Sequence, residues 1–468
     1  MKNFIRKQSV MDILLVLLCG MLLCYMGFVN AFPLMYPDCG TYILSGFTLK
    51  VPVDRPIFYG LFVRHISLQT SLWLVIWTQG ILLALVVFYY FKYLSGTRLF
   101  RFYYLLCIAF LTFFTPASFN VSQLIPDIFA PVSILALGLL LFAGNMKKRD
   151  VVVTTVILVY ALAVHNSHLF INVLLLLVFT IIFLIRRFRR ELEVFSLKLK
   201  KLAFAWIVII FTLFMVCSVH AGLGGGFSYA RGSHVFVMAR LLEMGILDEY
   251  LHDNCDKKHY KLCEYKDKIP WNFLWDFNNS PLYKYGDGWT LPQVKEEYNA
   301  IIWDIMTTPK YGHLFLVKSA ESTVKQFFNF CAGDAPAQLD DSPSHIVIAQ
   351  HYPACMREFK VSAQHSNLLN LFIAAEIQKF VFQVCLFLCL ALLFFPSLGG
   401  KYNWIILFML AGMLANAFFC GTFSTVLPRY QTRVMWLMVV PLVLIMANRE
   451  MLVPTVKRLF RKDSLDNG

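Results

Sequence analysis

About ten stretches of this chain are apolar for long enough, and free enough of charge, to cross a lipid bilayer, and this restricts the fold more than any motif does. Residues 11–31, 71–91 and 168–185 are the plainest, each close to the roughly 20 residues a helix needs to span the hydrocarbon. The composition agrees. The 468 residues are 58% apolar and only 15% charged, where a soluble domain carries about 25% charge. The expected fold is an all-α polytopic membrane protein. Lys2, Arg6 and Lys7 precede an apolar run too long for the core of a signal peptide and without a small-residue cleavage site, so that run is expected to be the first span.

A net charge of +14 invites a nucleic-acid reading. The positions of the charges argue for topology instead. Lysine and arginine gather at alternate span ends: Lys92, Arg98 and Arg101; Lys147, Lys148 and Arg149; Arg186 to Arg190 with Lys198, Lys200 and Lys201; and Lys457, Arg458, Arg461 and Lys462. About 22 of the 42 basic residues fall in such segments, which are retained on the cytoplasmic side. Spans are therefore expected near 11–31, 71–91, 103–118, 127–144, 151–165, 168–185, 202–220, 380–396, 404–420 and 431–447, with both termini cytoplasmic. No nucleic-acid partner is expected.

This topology divides the chain into an N-terminal bundle (1–220), an extracytoplasmic domain (221–367) and a C-terminal membrane segment (368–468). The first outer loop, 32–70, is expected to hold two interfacial helices. One lies near 40–50 with Ile43, Gly46 and Phe47 on one side; the other presents Phe58, Leu61, Phe62, His65 and Ile66 on one face. In the large loop, residues 234–252 read as one amphipathic helix. The aromatic segment Trp271 to Trp289 suits either a carbohydrate-facing cap or an ordinary interfacial domain. Cys255 and Cys263 are expected to form a disulfide, and Cys331 with Cys355 is a second candidate pair. No Cys-x-x-Cys pair is present, so no metal site is assigned, although a divalent metal is left open as a cofactor. Asn120-Val121-Ser122 and Asn278-Asn279-Ser280 match glycosylation sequons.

Outside the large loop, the outer face carries three carboxylates: Asp38, Asp54 and Asp127. Asp38, in Tyr36-Pro37-Asp38-Cys39-Gly40-Thr41-Tyr42, reads either as a helix N-cap or as a general base at a low-dielectric boundary. Asp54 and Arg55 form either a local ion pair or a phosphate-binding arginine with its orienting acid. Asp127 reads mainly as a helix cap, secondarily as a site residue. His165 and His168 fill a tight loop, as a hydrated turn or as a proton shuttle. Arg231 and His234 are cationic candidates for reaching a headgroup. Arg429 and Tyr430 precede the last span, where such residues commonly act as anchors. Arg433 lies one helical turn from Arg429, so both cations point the same way.

Taken together, these residues resemble the GT-C superfamily of polytopic glycosyltransferases. The likeness rests on the acid after the first span (Asp38, with Tyr42), the loop with Arg55-Pro56, the large late outer segment, and Pro428-Arg429-Tyr430 before a final span containing Pro441. Two features depart from the family pattern: Asp38 is followed by Cys39 rather than a second acid, and the large domain lies between the seventh and eighth spans. The resemblance implies a polyprenyl-phosphate sugar as donor, Asp38 as base, Arg55, Arg429 and Tyr430 at the phosphate, and an extracytoplasmic hydroxyl as acceptor. The expected location is a bacterial inner membrane, with the endoplasmic reticulum as the alternative that the sequence does not separate from it. The competing readings are a lipid or polysaccharide flippase and a membrane acyltransferase using His165 or His168.

Overall fold

The computed structural model describes residues 2–284, 288–331, 336–395 and 400–448. Among them the chain is helical throughout; its one β pairing is an isolated parallel bridge between Leu34 and Gln123. Six helices are long and apolar enough to cross a membrane: Trp73–Leu94, Asn166–Leu184, Leu199–Gly222, Phe372–Phe394, Asn403–Phe423 and Pro428–Ala447. Three shorter apolar helices, Ser9–Leu22, Phe100–Phe114 and Pro126–Phe142, fall below that length. Local chemistry accounts for the shortfall from ten. The expected span 103–118 stops at Phe114, ahead of Pro116, because proline disfavours helix in the residue before it. The expected 151–165 span is a 16-residue helix, Lys148–Ala163, that opens on Lys148, Arg149 and Asp150. The expected 11–31 span breaks after Leu22 and resumes as the short helix Tyr25–Asn30. The side chains of Lys2, Arg6 and Lys7, and the basic residues Lys457 to Lys462, lie outside the described residues.

The helices meet in polar contacts at two levels. At one level Arg101 pairs with Asp12 at 2.8 Å and Lys92 with Asp150 at 2.7 Å. There too Lys201 Nζ donates to the Ala143 carbonyl and Tyr402 to that of Leu94. These are the helix ends where the sequence concentrates lysine and arginine. The opposite level gathers the 32–70 loop, the Asp127 turn, the His165 turn and the start of the last helix.

Two helices organise that second level, Cys39–Thr48 and Phe58–Ile66. They cross backbone to backbone through Gly46 and Gly60: a Cβ on Gly46 would stand 2.2 Å from the Gly60 carbonyl oxygen. The face of Phe58–Ile66 differs from the expected one. Tyr59, Gly60 and Val63 are buried, whereas His65 is exposed and Phe58, Leu61, Phe62 and Ile66 are half-buried. The close glycine crossing turns the helix so that its small residue, rather than its apolar stripe, meets the neighbour.

The large loop is two structures rather than one. Residues from Val235 to Tyr311 build a second hydrophobic core of their own. The expected 234–252 helix is broken there into Ser233–Glu243 and Ile246–Asn254 by Gly245, whose φ of +74° suits glycine. Cys255 and Cys263 are joined by a disulfide. Cys331 and Cys355 form no bridge and remain thiols, which corrects that pairing. Residues 343–359 instead join the main core through Val347, Ile348, Tyr352 and Phe359. This part straps the segment ahead of Asp38: Gln364 exchanges hydrogen bonds with Met35 N–H and C=O at 2.8 and 2.7 Å, and Ser344 Oγ donates to the Tyr36 carbonyl. Of the two sequons, Asn120 is buried and Asn278 is exposed.

The glycine crossing gives a direct test. Gly46→Ala should force backbone from backbone and cost about 1–3 kcal/mol, read as a lower melting temperature in detergent. Gly222→Ala, where an added Cβ meets nothing within 4 Å, should be near neutral. Equal melting temperatures would show that the two helices have room to part.

Candidate functional site

Prolines set the positions of the charged side chains. Pro37, Pro126 and Pro428 immediately precede Asp38, Asp127 and Arg429, and Pro56 follows Arg55. Proline has a fixed φ and no N–H to lose, so it suits the first turn of a helix; Pro126 and Pro428 open short helices in this way. The residue after each is held at a helix mouth on the second level. Neither acid then acts as a cap. Asp38 occupies the cap position of Cys39–Thr48 with helical backbone angles and makes no capping hydrogen bond. Asp127 caps nothing either. Both carboxylates are engaged with arginines instead.

Arg55 Nη2 lies 3.3 Å from one oxygen of Asp38, and Arg429 Nη1 lies 3.3 Å from the other. Asp54 accepts from Arg55 Nε at 2.9 Å. Arg429 Nε is 3.1 Å from Asp127 Oδ2, an ion pair whose N–H does not point at the oxygen. Arg433 Nη1 donates to Asp127 Oδ1 at 2.9 Å. Four stretches of chain thus form one line of alternating charge: Asp54, Arg55, Asp38, Arg429, Asp127, Arg433.

Burial grades along this line. The Arg433 and Asp127 side chains are 0% and 2% exposed, Arg429 and Arg55 8% and 10%, and Asp38 26%, so Asp38 is the group that faces out. At the inner end every Arg433 nitrogen has a partner. Asn416 Oδ1 accepts from Arg433 Nη2 and Nε at 2.8 and 3.1 Å, and Ser167 Oγ accepts at 3.2 Å. Aromatic faces flank the arginines: Arg55 stands 4.6 Å from the Tyr42 ring centre, and Arg429 stands 4.2 Å from Tyr36 and 5.3 Å from Tyr430.

Electrostatics follow from this geometry. Burial pushes the Asp38 carboxyl up, but the Arg55 and Arg429 charges outweigh it and hold the group down at about 2. Asp38 is therefore an ion, and a feeble base while both arginines hold it. Burial works against the Arg55 charge, yet Asp38, Tyr42 and Asp54 together hold that guanidinium well above its ordinary range. Arg55 Nη1 is buried without a hydrogen-bond partner.

The remaining candidates divide. His165 caps the Asn166–Leu184 helix by accepting from Ser167 N–H, and burial with the nearby Arg433, Arg55 and Arg429 charges pushes it well below its usual value. His168 is fully buried, with Nδ1 2.8 Å from the Ala161 carbonyl; the pair is not the hydrated turn expected. Arg231 donates to the Val51 carbonyl at 2.9 Å and helps fix the 32–70 loop. His234 sits apart in the second core, beside Tyr298, with no polar partner for either ring nitrogen. Among the described residues no group of three His, Cys, Asp or Glu side chains is placed to hold a metal ion. The sequence reading missed Tyr36, Ser167 and Asn416. Asn416, an amide set among apolar residues well inside the Asn403–Phe423 helix, carried a usable signal, because polar groups at such depth have partners.

Two outcomes are expected. Asp127→Asn leaves Arg433 buried without its counter-charge and should destabilise the protein by about 3–5 kcal/mol. Asp38→Asn, at the open end, should melt close to wild type. Similar melting for the two variants would deny the graded burial a role. The second outcome concerns pH. Burial, with Lys295 nearby, pushes His234 down to about 4, against about 6.5 in an unfolded chain. The unfolded state therefore takes up a proton first. The stability tied to neutral His234 is complete above about 6.5 and declines as the pH falls toward about 4. Wild type should lose more melting temperature between pH 7.5 and 5 than His234→Gln; parallel curves would discount the group.

No family model, curated protein or solved structure matches the chain.

Proposed function

We propose that the protein is an integral membrane glycosyltransferase that moves a sugar from a polyprenyl-phosphate donor to an acceptor hydroxyl, with inversion. The observation that carries this reading is the half-exposed Asp38 carboxylate with one arginine on each oxygen at 3.3 Å. Such a site offers a proton acceptor beside two fixed phosphate-binding cations. In the reaction the acceptor oxygen attacks the anomeric carbon, and the carbon–oxygen bond to phosphate breaks. Asp38 takes the hydroxyl proton. Arg55 and Arg429 stabilise the departing phosphate, as preorganised charge. Tyr430 and Tyr36 wall the Arg429 side, and Asp54 orients Arg55.

The membrane arrangement belongs to the same proposal. The six long helices, the three shorter apolar ones and Lys148–Ala163 make ten crossings. The two polar levels support this count, because successive helix ends alternate between the basic level and the level of Asp38. With the basic level cytoplasmic, both termini are cytoplasmic, the site and residues 221–367 are extracytoplasmic, and a bacterial inner membrane suits the chain. In this reading the second core, against which Val53 packs beside Asp54, selects the acceptor. The acyltransferase alternative is disfavoured because His165 is engaged as a cap and His168 holds a backbone carbonyl. The flippase alternative would have unpaired charges along a path between the helices; the charges at this site are paired and confined to helix ends.

The test uses purified protein in liposomes with a panel of polyprenyl-phosphate hexoses and hydroxyl acceptors. Asp38→Asn should lose roughly 10²–10⁴-fold in turnover, the range of general-base catalysis, while melting like wild type. Transfer that persists in Asp38→Asn would sink the assignment of the base.

A further inference from the structure

The resting site poses a problem for its own chemistry. Both oxygens of Asp38 are occupied by the two cations that a phosphate would need. Three acids and three arginines sum to zero, so the closed cluster offers little net attraction to an anion. The two arginines are nevertheless fixed from behind. Arg429 is held by Asp127, which Arg433 clamps from a fully buried position. Arg55 is held by Asp54 and the Tyr42 ring. Asp38 is the most exposed member and carries no fixing bond of its own besides those to the arginines. Arg55 Nη1, buried and without a partner, is a donor that Asp38 does not satisfy.

We infer that Asp38 is a built-in competitor for the donor phosphate: the phosphate takes Arg55 and Arg429 away from it, and only the carboxylate so released accepts a proton from the acceptor. This rests on the glycosyltransferase reading and adds an order to it, donor before acceptor. The physical consequence follows from the two opposed influences on Asp38. The arginines lower its proton affinity and burial raises it, so a phosphate that neutralises the arginines leaves burial dominant and turns a feeble base into a competent one. After transfer the carboxyl holds the acceptor's proton. Loss of that proton to water restores the anion, which competes with the product phosphate for the arginines and speeds its release.

The experiment measures binding, not turnover. The probe is decaprenyl phosphate carrying no sugar, titrated into protein in nanodiscs of neutral lipid. Asp38→Asn, which removes the competing charge, should bind it about tenfold or more tightly than wild type. Adding Arg55→Gln to Asp38→Asn should abolish the gain. A residue that merely supports the fold would give weaker binding on substitution, not stronger. Unchanged or weaker binding in folded Asp38→Asn overturns the inference, as does a gain that survives Arg55→Gln. Asp38→Ser gives the same reading where the asparagine variant does not fold. The outcome is separable from the proposal it rests on. Tighter binding without sugar transfer from any donor removes the catalytic reading and keeps the competition; transfer by wild type without tighter binding in the variants removes the competition alone.

Discussion

The candidate site hangs on the buried ion pair between Asp127 and Arg433. Their side chains are 2% and 0% exposed and meet at 2.9 Å. Burying two charges is unfavourable unless they are paired and hydrogen-bonded; here Asn416 and Ser167 accept from Arg433, and the Arg429 charge stands 3.1 Å from the second Asp127 oxygen without donating to it. The pair joins the turn before Phe129–Phe142 to the start of the last helix, 306 residues away in sequence. It also fixes the direction of Arg429, which cannot turn away from the site while Asp127 holds its Nε. Specificity of geometry, rather than net stability, is the advantage that such a pair offers over an apolar contact.

Outward from that pair, the constraints weaken in order. Arg429 and Arg55 keep a neighbouring acid and an aromatic face each; Asp38 keeps only the arginines. The gradient leaves Asp38 as the member of the line with most access to solvent. Firm anchoring at the base and loose tenure at the mouth are compatible because the same alternating charges serve both.

Much of this was legible in the sequence, for identifiable reasons. Helical membrane architecture follows from apolar run length, and the Cys255–Cys263 bridge from eight-residue spacing in a polar loop. Asp38, Arg55 and Arg429 stood out because charge is scarce outside the large loop. Asp127 was read mainly as a cap because a sequence shows local partners, whereas its true partner, Arg433, is remote. The one-turn spacing of Arg429 and Arg433 pointed both at a common target without naming it. The face of Phe58–Ile66 was misread for a related reason. Periodicity ranks side chains by hydrophobicity, but the contact there is made by two glycine backbones, and only the third dimension reveals that they meet. The single large outer domain was an inference from length. Its division depends on which segment finds the main core, and no local pattern announces that.

That division has an evolutionary consequence. The part of the loop that straps Met35 and Tyr36 is tied to the segment that carries Asp38, and its changes are constrained by the geometry of the ion pairs there. The part with its own core, from Val235 to Tyr311, keeps its packing to itself and carries its own covalent staple. Substitutions can accumulate in the second without disturbing the first. A lineage built on this plan is free to exchange one insert while keeping the frame that holds the ion-pair line.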